Sequence, residues 1–168
     1  MKFCELNFLA GKKQDAMEII KEAAMWLIKK GEPLWSVCDI ETELAEIKED
    51  KFIVLYKNDI SIAAMVLNED GNGLWNDEKK SVFIHKLAVK RKYAGQRYAE
   101  KMIEYAVDYC RKNKMRYLRL DCDGKREKLR QFYEKAGFLL KDIKNITTKK
   151  HGKIKVALYE IDIRQLYF

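Results

Sequence analysis

Proline occurs once and histidine twice in this chain of 168 residues, and none of Cys4, Cys38, Cys110 and Cys122 falls in a C-x-x-C pair. Each shortage closes off a class. With only His85 and His151 beside the scattered cysteines, a zinc site has few ligands to draw on, so four reduced thiols and no metal are expected. No internal repeat, low-complexity tract or linker divides the chain. No apolar run approaches the ~20 residues of a membrane-spanning helix, which argues against a membrane partner. The first residues also lack the charged, apolar and small-residue order of a secretory leader, so the expected location is the cytoplasm.

Charge of one sign is in excess but not in blocks. Lys and Arg number 34 against 26 acidic residues, a net +8 that could serve nucleic acid, a membrane surface or a phosphorylated cofactor. Lys29-Lys30, Lys48, Lys57 and Lys149-Lys150 stand among acidic residues, and no interleaved aromatic and basic segment of the RNA-binding type appears. Nucleic acid is therefore not an expected partner. Apolar residues make up 48% and charged residues 36%, the balance of a globular chain. A single domain over residues 1–168 is expected, and one of that size buries roughly 70% of the surface its unfolded chain exposes.

The most specific stretch is Ile84-His85-Lys86-Leu87-Ala88-Val89, an apolar strand that runs through Lys90-Arg91-Lys92 into Tyr93-Ala94-Gly95-Gln96-Arg97-Tyr98-Ala99. A strand that stops in a basic, glycine-containing loop and restarts as a helix offers backbone N–H groups to a phosphate. Downstream, Leu118–Asp123 precedes an amphipathic segment that ends Tyr133-Glu134-Lys135-Ala136-Gly137-Phe138.

Around these runs the pattern predicts a strand over residues 2–9 and a helix over Gln14–Lys30, ended by Gly31 and Pro33. It continues with a short helix over Ile40–Glu49 with Asp39 as N-cap, and strands Phe52–Tyr56 and Ile60–Leu67 in a hairpin through Lys57-Asn58-Asp59. After a polar loop carrying Trp75 comes a strand over Val82–Val89. The clearest helix follows, with Ala99, Met102, Ile103, Ala106, Val107 and Cys110 on one face. Tyr117–Cys122 reads as a strand, Leu129–Ala136 as a helix closed by Gly137, and Phe138–Thr147 with Ile154–Ile163 as a terminal hairpin. The order is β-α-α-β-β-β-α-β-α-β-β, a mixed sheet with packed helices.

From about Phe52 to Ile163 these residues resemble the GNAT superfamily of acetyl-CoA-dependent N-acetyltransferases. Leu87-Ala88-Val89 is similar to its motif strand, Gly95–Ala99 to its pyrophosphate loop, and Tyr133 with Gly137-Phe138 to its Y-x-x-x-G-F signature. The resemblance implies an α/β fold of the acyl-CoA N-acyltransferase type, a mixed, largely antiparallel sheet with helices on both faces. It implies acetyl-CoA (coenzyme A) as co-substrate and acetyl transfer to a primary amine of a small molecule or peptide. Homodimers are common in the family, so a second copy is an expected partner. Leu87, Ala88 and Val89 would then pair with pantetheine through their backbone, and Ala94, Gly95, Gln96, Arg97, Tyr98 and Ala99 would surround the diphosphate. At a helix start such an anion meets unpaired N–H groups and the positive dipole end, each interaction worth about 0.3–1 kcal/mol. The family loop reads Q/R-x-x-G-x-G/A. Here Ala94 stands first, Arg97 replaces the inner glycine with a guanidinium that can reach phosphates, and Ala99 is kept. Arg126 occupies the position of the family's asparagine, seven residues before the tyrosine, and is counted on the cofactor side.

The chemistry needs a base, because an alkyl amine of pKa about 10.4 is protonated at neutral pH. His85 on the motif strand is the titratable candidate, against a histidine with no chemical task. Tyr133 is the candidate acid for the departing CoA thiolate, against a core tyrosine on an apolar helix face. Cys122 reads as a small buried thiol rather than a nucleophile. Asp121, Asp123, Asp77 and Glu78 read as ordinary charged positions rather than an amine site. A CoA-binding module without catalysis and a basic nucleic-acid-binding domain are the alternatives.

Overall fold

Ala16, Ile19, Ile20, Ala24 and Leu27 recur every three or four residues, and they form the buried stripe of the helix Lys13–Lys29 (α1). The computed structural model describes residues 4–32 and 37–166. Its other elements are Leu6–Ala10 (β1), Val37–Leu44 (α2), Phe52–Lys57 (β2), Ile60–Asn68 (β3), Ser81–Val89 (β4) and Tyr98–Lys112 (α3), then Tyr117–Asp123 (β5), Glu127–Lys135 (α4), Leu139–Thr148 (β6) and Gly152–Asp162 (β7). The predicted element order holds. The strands form one sheet in the order β1-β2-β3-β4-β5-β7-β6. β4 and β5 run parallel through Ser81–Phe83 and Tyr117–Arg119, while β1–β2, β2–β3, β5–β7 and β6–β7 pair antiparallel.

The boundaries differ where local signals were weak. Asp39 lies inside α2, in its first turn, rather than capping it. A carboxylate there still favours the positive end of the helix, which is why the residue type suited both placements. β1 begins at Leu6, and β7 begins at Gly152 rather than Ile154. Pro33 and residues 2–3 lie outside the described residues.

The chain divides into two compact units, one of Met1–Leu67 with His85–Glu104, the other of Asn68–Ile84 with Tyr105–Phe168. In the first, Ile19 and Ile20 of α1, Ile40 and Leu44 of α2, Phe52 and Val54 of β2, Ala64 and Val66 of β3 and Ala88 of β4 share one core. Each large side chain so buried contributes about 1.5–3 kcal/mol. The β2–β3 hairpin closes over Asn58 and Asp59, with φ +48° and +66°, the two left-handed residues of a primed turn. Asn58 N–H donates to the Glu5 carbonyl at 3.0 Å, and Glu5 N–H donates to Asn58 Oδ1 at 3.1 Å.

In the second unit the largest fully buried side chain is charged. Arg119 of β5 is 1% exposed, donates to both carboxylate oxygens of Asp77 at 2.7 and 2.9 Å, and donates to Glu160 of β7 at 2.8 Å. Its guanidinium lies 4.2 Å from the Trp75 ring. A buried cation needs such partners, and the bidentate fork suits arginine. Gly71 approaches Phe83 and Trp75 so closely that an added Cβ would lie 2.9 Å from the Phe83 ring. No described helix is long and apolar enough to cross a membrane.

Candidate functional site

β4 does not keep a regular pleat to its end. Ser81–Ile84 are buried, then His85, Lys86 and Leu87 are half-buried in succession. Lys86 has φ +53°. A lysine in the left-handed region breaks the strand's alternation and redirects the backbone, as a bulge does. Its ammonium pairs with Glu43 of α2 at 2.9 Å. After buried Ala88, the Lys90 N–H donates to the Ile62 carbonyl at 2.9 Å and its ammonium reaches Ser61 Oγ at 3.0 Å, both on β3.

The chain next makes a 3-10 turn, Arg91–Tyr93, and then the exposed segment Ala94–Arg97. Ala94 is extended, Gly95 has φ +75° and Arg97 has φ +65°. Open space surrounds the Cβ position of Gly95, so backbone conformation alone demands glycine there. Arg97 occupies a conformation that favours glycine, at the very place where the resembled loop has one. Its carbonyl accepts the first helical bond from Lys101 N–H at 3.3 Å, so it stands as the N-cap of α3. An arginine side chain only donates and cannot cap the first N–H groups of a helix. The Arg97 side chain therefore offers no acceptor to the N–H groups that begin at Tyr98. Tyr98 is buried and meets the Tyr93 ring edge-on at 6.3 Å, closing the base of the loop.

In the other unit, Tyr133 sits in the last turn of α4 with 8% exposure. The Phe138 N–H donates to the Tyr133 carbonyl at 3.1 Å, and the Gly137 N–H, at φ +103°, donates to the Glu134 carbonyl at 3.1 Å. The Tyr133 and Phe138 rings are 5.7 Å apart. This is a complete Schellman ending with its hydrophobic contact, so the spacing Y-x-x-x-G-F is a helix-stop device that fixes the tyrosine. Phe132 and Tyr159 add ring contacts at 5.2 and 6.3 Å. Burial, reinforced by neighbouring Cys122 and Asp121 and opposed by Arg126, pushes the Tyr133 phenol above its ordinary value, so it remains a proton donor. Among the described residues no hydrogen bond reaches its hydroxyl. Burial likewise pushes the Cys122 thiol up to about 12, which keeps it from acting as a thiolate.

The predicted residues thus fall in two groups. His85, Leu87, Ala88, Val89 and Ala94–Ala99 form a continuous path through one unit, whereas Arg126 and Tyr133 bound α4 in the other. Asp77 is committed to Arg119. Among the described residues no three His, Cys, Asp or Glu side chains gather as a metal site. Sequence reasoning missed Lys86 and two residues of α1, Glu22 and Trp26, that reach the loop. The Glu22 carboxylate accepts the Arg91 N–H at 2.8 Å, and the Arg91 guanidinium lies 3.9 Å from the Trp26 ring.

The sequence profile of the Acetyltransferase (GNAT) family matches residues 18–138. The chain is 27% identical over 130 residues to YesJ of Bacillus subtilis (strain 168), named as an uncharacterized N-acetyltransferase, covering 71% of this chain and 72% of that protein. Among solved structures, a GNAT-family acetyltransferase from Listeria monocytogenes 4b F2365 superposes with a TM-score of 0.70 at 22% identity, covering 95% of this chain and 94% of that one. The yncA protein of Salmonella typhimurium, solved with its cofactor acetyl-CoA, gives a TM-score of 0.68 at 12% identity over 97% of this chain and 96% of its own.

Proposed function

This chain belongs to the acetyltransferase (GNAT) family, and we propose that it transfers the acetyl group of acetyl-CoA by direct attack to a primary amine on a small molecule or peptide. The observation that carries the reading is the loop Ala94–Arg97, exposed, bearing two left-handed residues, and leading directly into the N-terminus of α3. Such a backbone is preorganised for an anion with two phosphates.

Acetyl-CoA supplies an activated thioester, so each turnover forms one C–N bond and breaks one C–S bond. His85 receives a proton from the amine, directly or through water, because only the neutral amine has a lone pair to offer. Leu87, Ala88 and Val89 align the pantetheine arm as an added strand would. Ala94–Ala99 hold the diphosphate, with Arg97 adding a guanidinium, and Arg126 is assigned to cofactor binding. Tyr133 returns a proton to the CoA sulfur. Burial keeps its hydroxyl protonated at neutral pH, so a proton is present to share with the departing sulfur, while the same shift makes the phenol a weaker acid than a thiol of pKa about 8.5.

The test has two stages. Acetyl-CoA raises the thermal midpoint, as any ligand of the folded state must. Thiol release is then followed with polyamines, aminoglycosides, arylalkylamines, amino acids and peptide N-termini, and one class is expected to give turnover. No stabilisation by acetyl-CoA would overturn the reading. Stabilisation without turnover on any class would favour a silent CoA-binding module, the alternative that the substituted positions Ala94 and Arg97 keep in view. In His85→Ala, the acidic limb of the rate profile is expected to shift; an unchanged profile removes His85 as base.

A further inference from the structure

We infer that Glu22 and Trp26 of α1 are positioning residues for the diphosphate loop, holding its first turn so that Arg97 keeps a glycine-like conformation; this rests on the acetyl-CoA reading above. The 3-10 turn Arg91–Tyr93 starts without help from its own N-cap residue, Lys90, which makes no side-chain bond to it. The missing acceptor comes from 69 residues earlier, where Glu22 Oε1 takes the Arg91 N–H at 2.8 Å. One helical turn further along α1, the Trp26 ring faces the Arg91 guanidinium at 3.9 Å and the Lys30 ammonium at 4.2 Å. Spacing of four residues sets Glu22 and Trp26 on one face of α1, in line with Lys30 at its C-cap. Arg91 is thus gripped twice, by its backbone and by its side chain.

The grip has a reason in the residues that follow. A non-glycine residue in the left-handed region costs energy and persists only where the surroundings fix it from several sides. Between Lys90, tied to Ile62, and Tyr98, packed on Tyr93, the loop has few internal anchors. Among the described residues these include the Tyr93 and Ala94 N–H groups, bonded to the Lys90 and Arg91 carbonyls at 2.8 and 3.2 Å. Arg91 therefore carries the turn on which Ala94 depends, and Glu22 and Trp26 hold Arg91. A carboxylate beside a diphosphate site would by itself repel the ligand. The cations Arg91 and Lys30 on the adjoining Trp26 ring offset that field, so Glu22 can cap the turn at little electrostatic cost.

The test compares Glu22→Gln, which keeps an acceptor, with Glu22→Ala, which removes it, and Trp26→Phe with Trp26→Ala. Loss of a cap bond corresponds to roughly fivefold weaker acetyl-CoA binding by calorimetry. Glu22→Ala and Trp26→Ala are expected to show that loss as a raised KM for acetyl-CoA, with kcat and the acceptor KM little changed and the conservative variants near wild type. In an Arg97→Gly background, where the loop needs no enforcement, the Glu22→Ala penalty shrinks. Equal penalties in both backgrounds, or an unchanged KM for acetyl-CoA, would overturn the inference. Amide exchange at Arg91 without ligand gives an independent reading, faster in Glu22→Ala and unchanged if Glu22 does not hold the turn. If wild-type protein binds no acetyl-CoA, the acetyltransferase reading fails, while the exchange rate still decides whether Glu22 holds the turn.

Discussion

The loop Ala94–Arg97 and the setting of Tyr133 do their work with opposite materials. The loop offers backbone, its side chains face solvent, and its shape depends on two left-handed residues. Tyr133 offers one side-chain oxygen, buried among rings, on a helix ended by a fixed pattern of hydrogen bonds. A site made of backbone tolerates many side chains but not a changed φ. A site made of one hydroxyl tolerates no loss of that atom, even when shape is kept.

That contrast breaks most visibly at Tyr133. Tyr133→Phe keeps the ring contacts and the helix ending but removes the donor, so kcat is expected to fall by about 10²–10⁴, the usual contribution of a positioned acid. Affinity for acetyl-CoA should stay near wild type, and full activity would return Tyr133 to the core. The converse case is Gly95→Ala, which adds only a methyl group facing open space. Its cost arises from φ +75°, about 1–2 kcal/mol for an L-residue, and should appear as roughly 5–30-fold weaker acetyl-CoA binding. If Gly95→Ala binds normally, the loop is not set by its backbone.

The smallest effect tests whether buried side-chain chemistry in the Tyr133 unit also sets its acid stability. The Arg119 hydrogen bonds hold the Asp77 carboxyl below its usual range. The folded state therefore binds this proton less readily than the unfolded one. The resulting stability is present above the ordinary value near 3.8 and is lost as pH falls through the lower folded value. In Asp77→Asn the thermal midpoint should decline less steeply below about pH 4 than in wild type.

What could be read from the sequence follows the reach of each interaction. α3 and α4 were legible because an apolar stripe repeats within the helix, and Y-x-x-x-G-F was legible because all its bonds close within six residues. The loop was legible as a strand, a basic turn and a helix start. Arg97 looked like a departure from a glycine pattern, and its φ of +65° is one that glycine adopts freely. Lys86 was invisible, since nothing around it marks a bulge. Glu22 was invisible for a different reason: its partner is a backbone N–H, which has no residue type to recognise. Asp39 was misplaced by three residues because caps and first turns favour the same side chains.

The primed turn at Asn58-Asp59 carries a consequence for the order of assembly. β2 and β3 meet across two residues, so their pairing asks for little loop-closure entropy and suits the earliest contacts. Glu5 and Asn58 are 53 residues apart, and the two bonds between them fasten β1 to a corner that the hairpin has already made. A chain so arranged can lay its third strand against a finished edge, with α1 and α2 carried in the loop that closes.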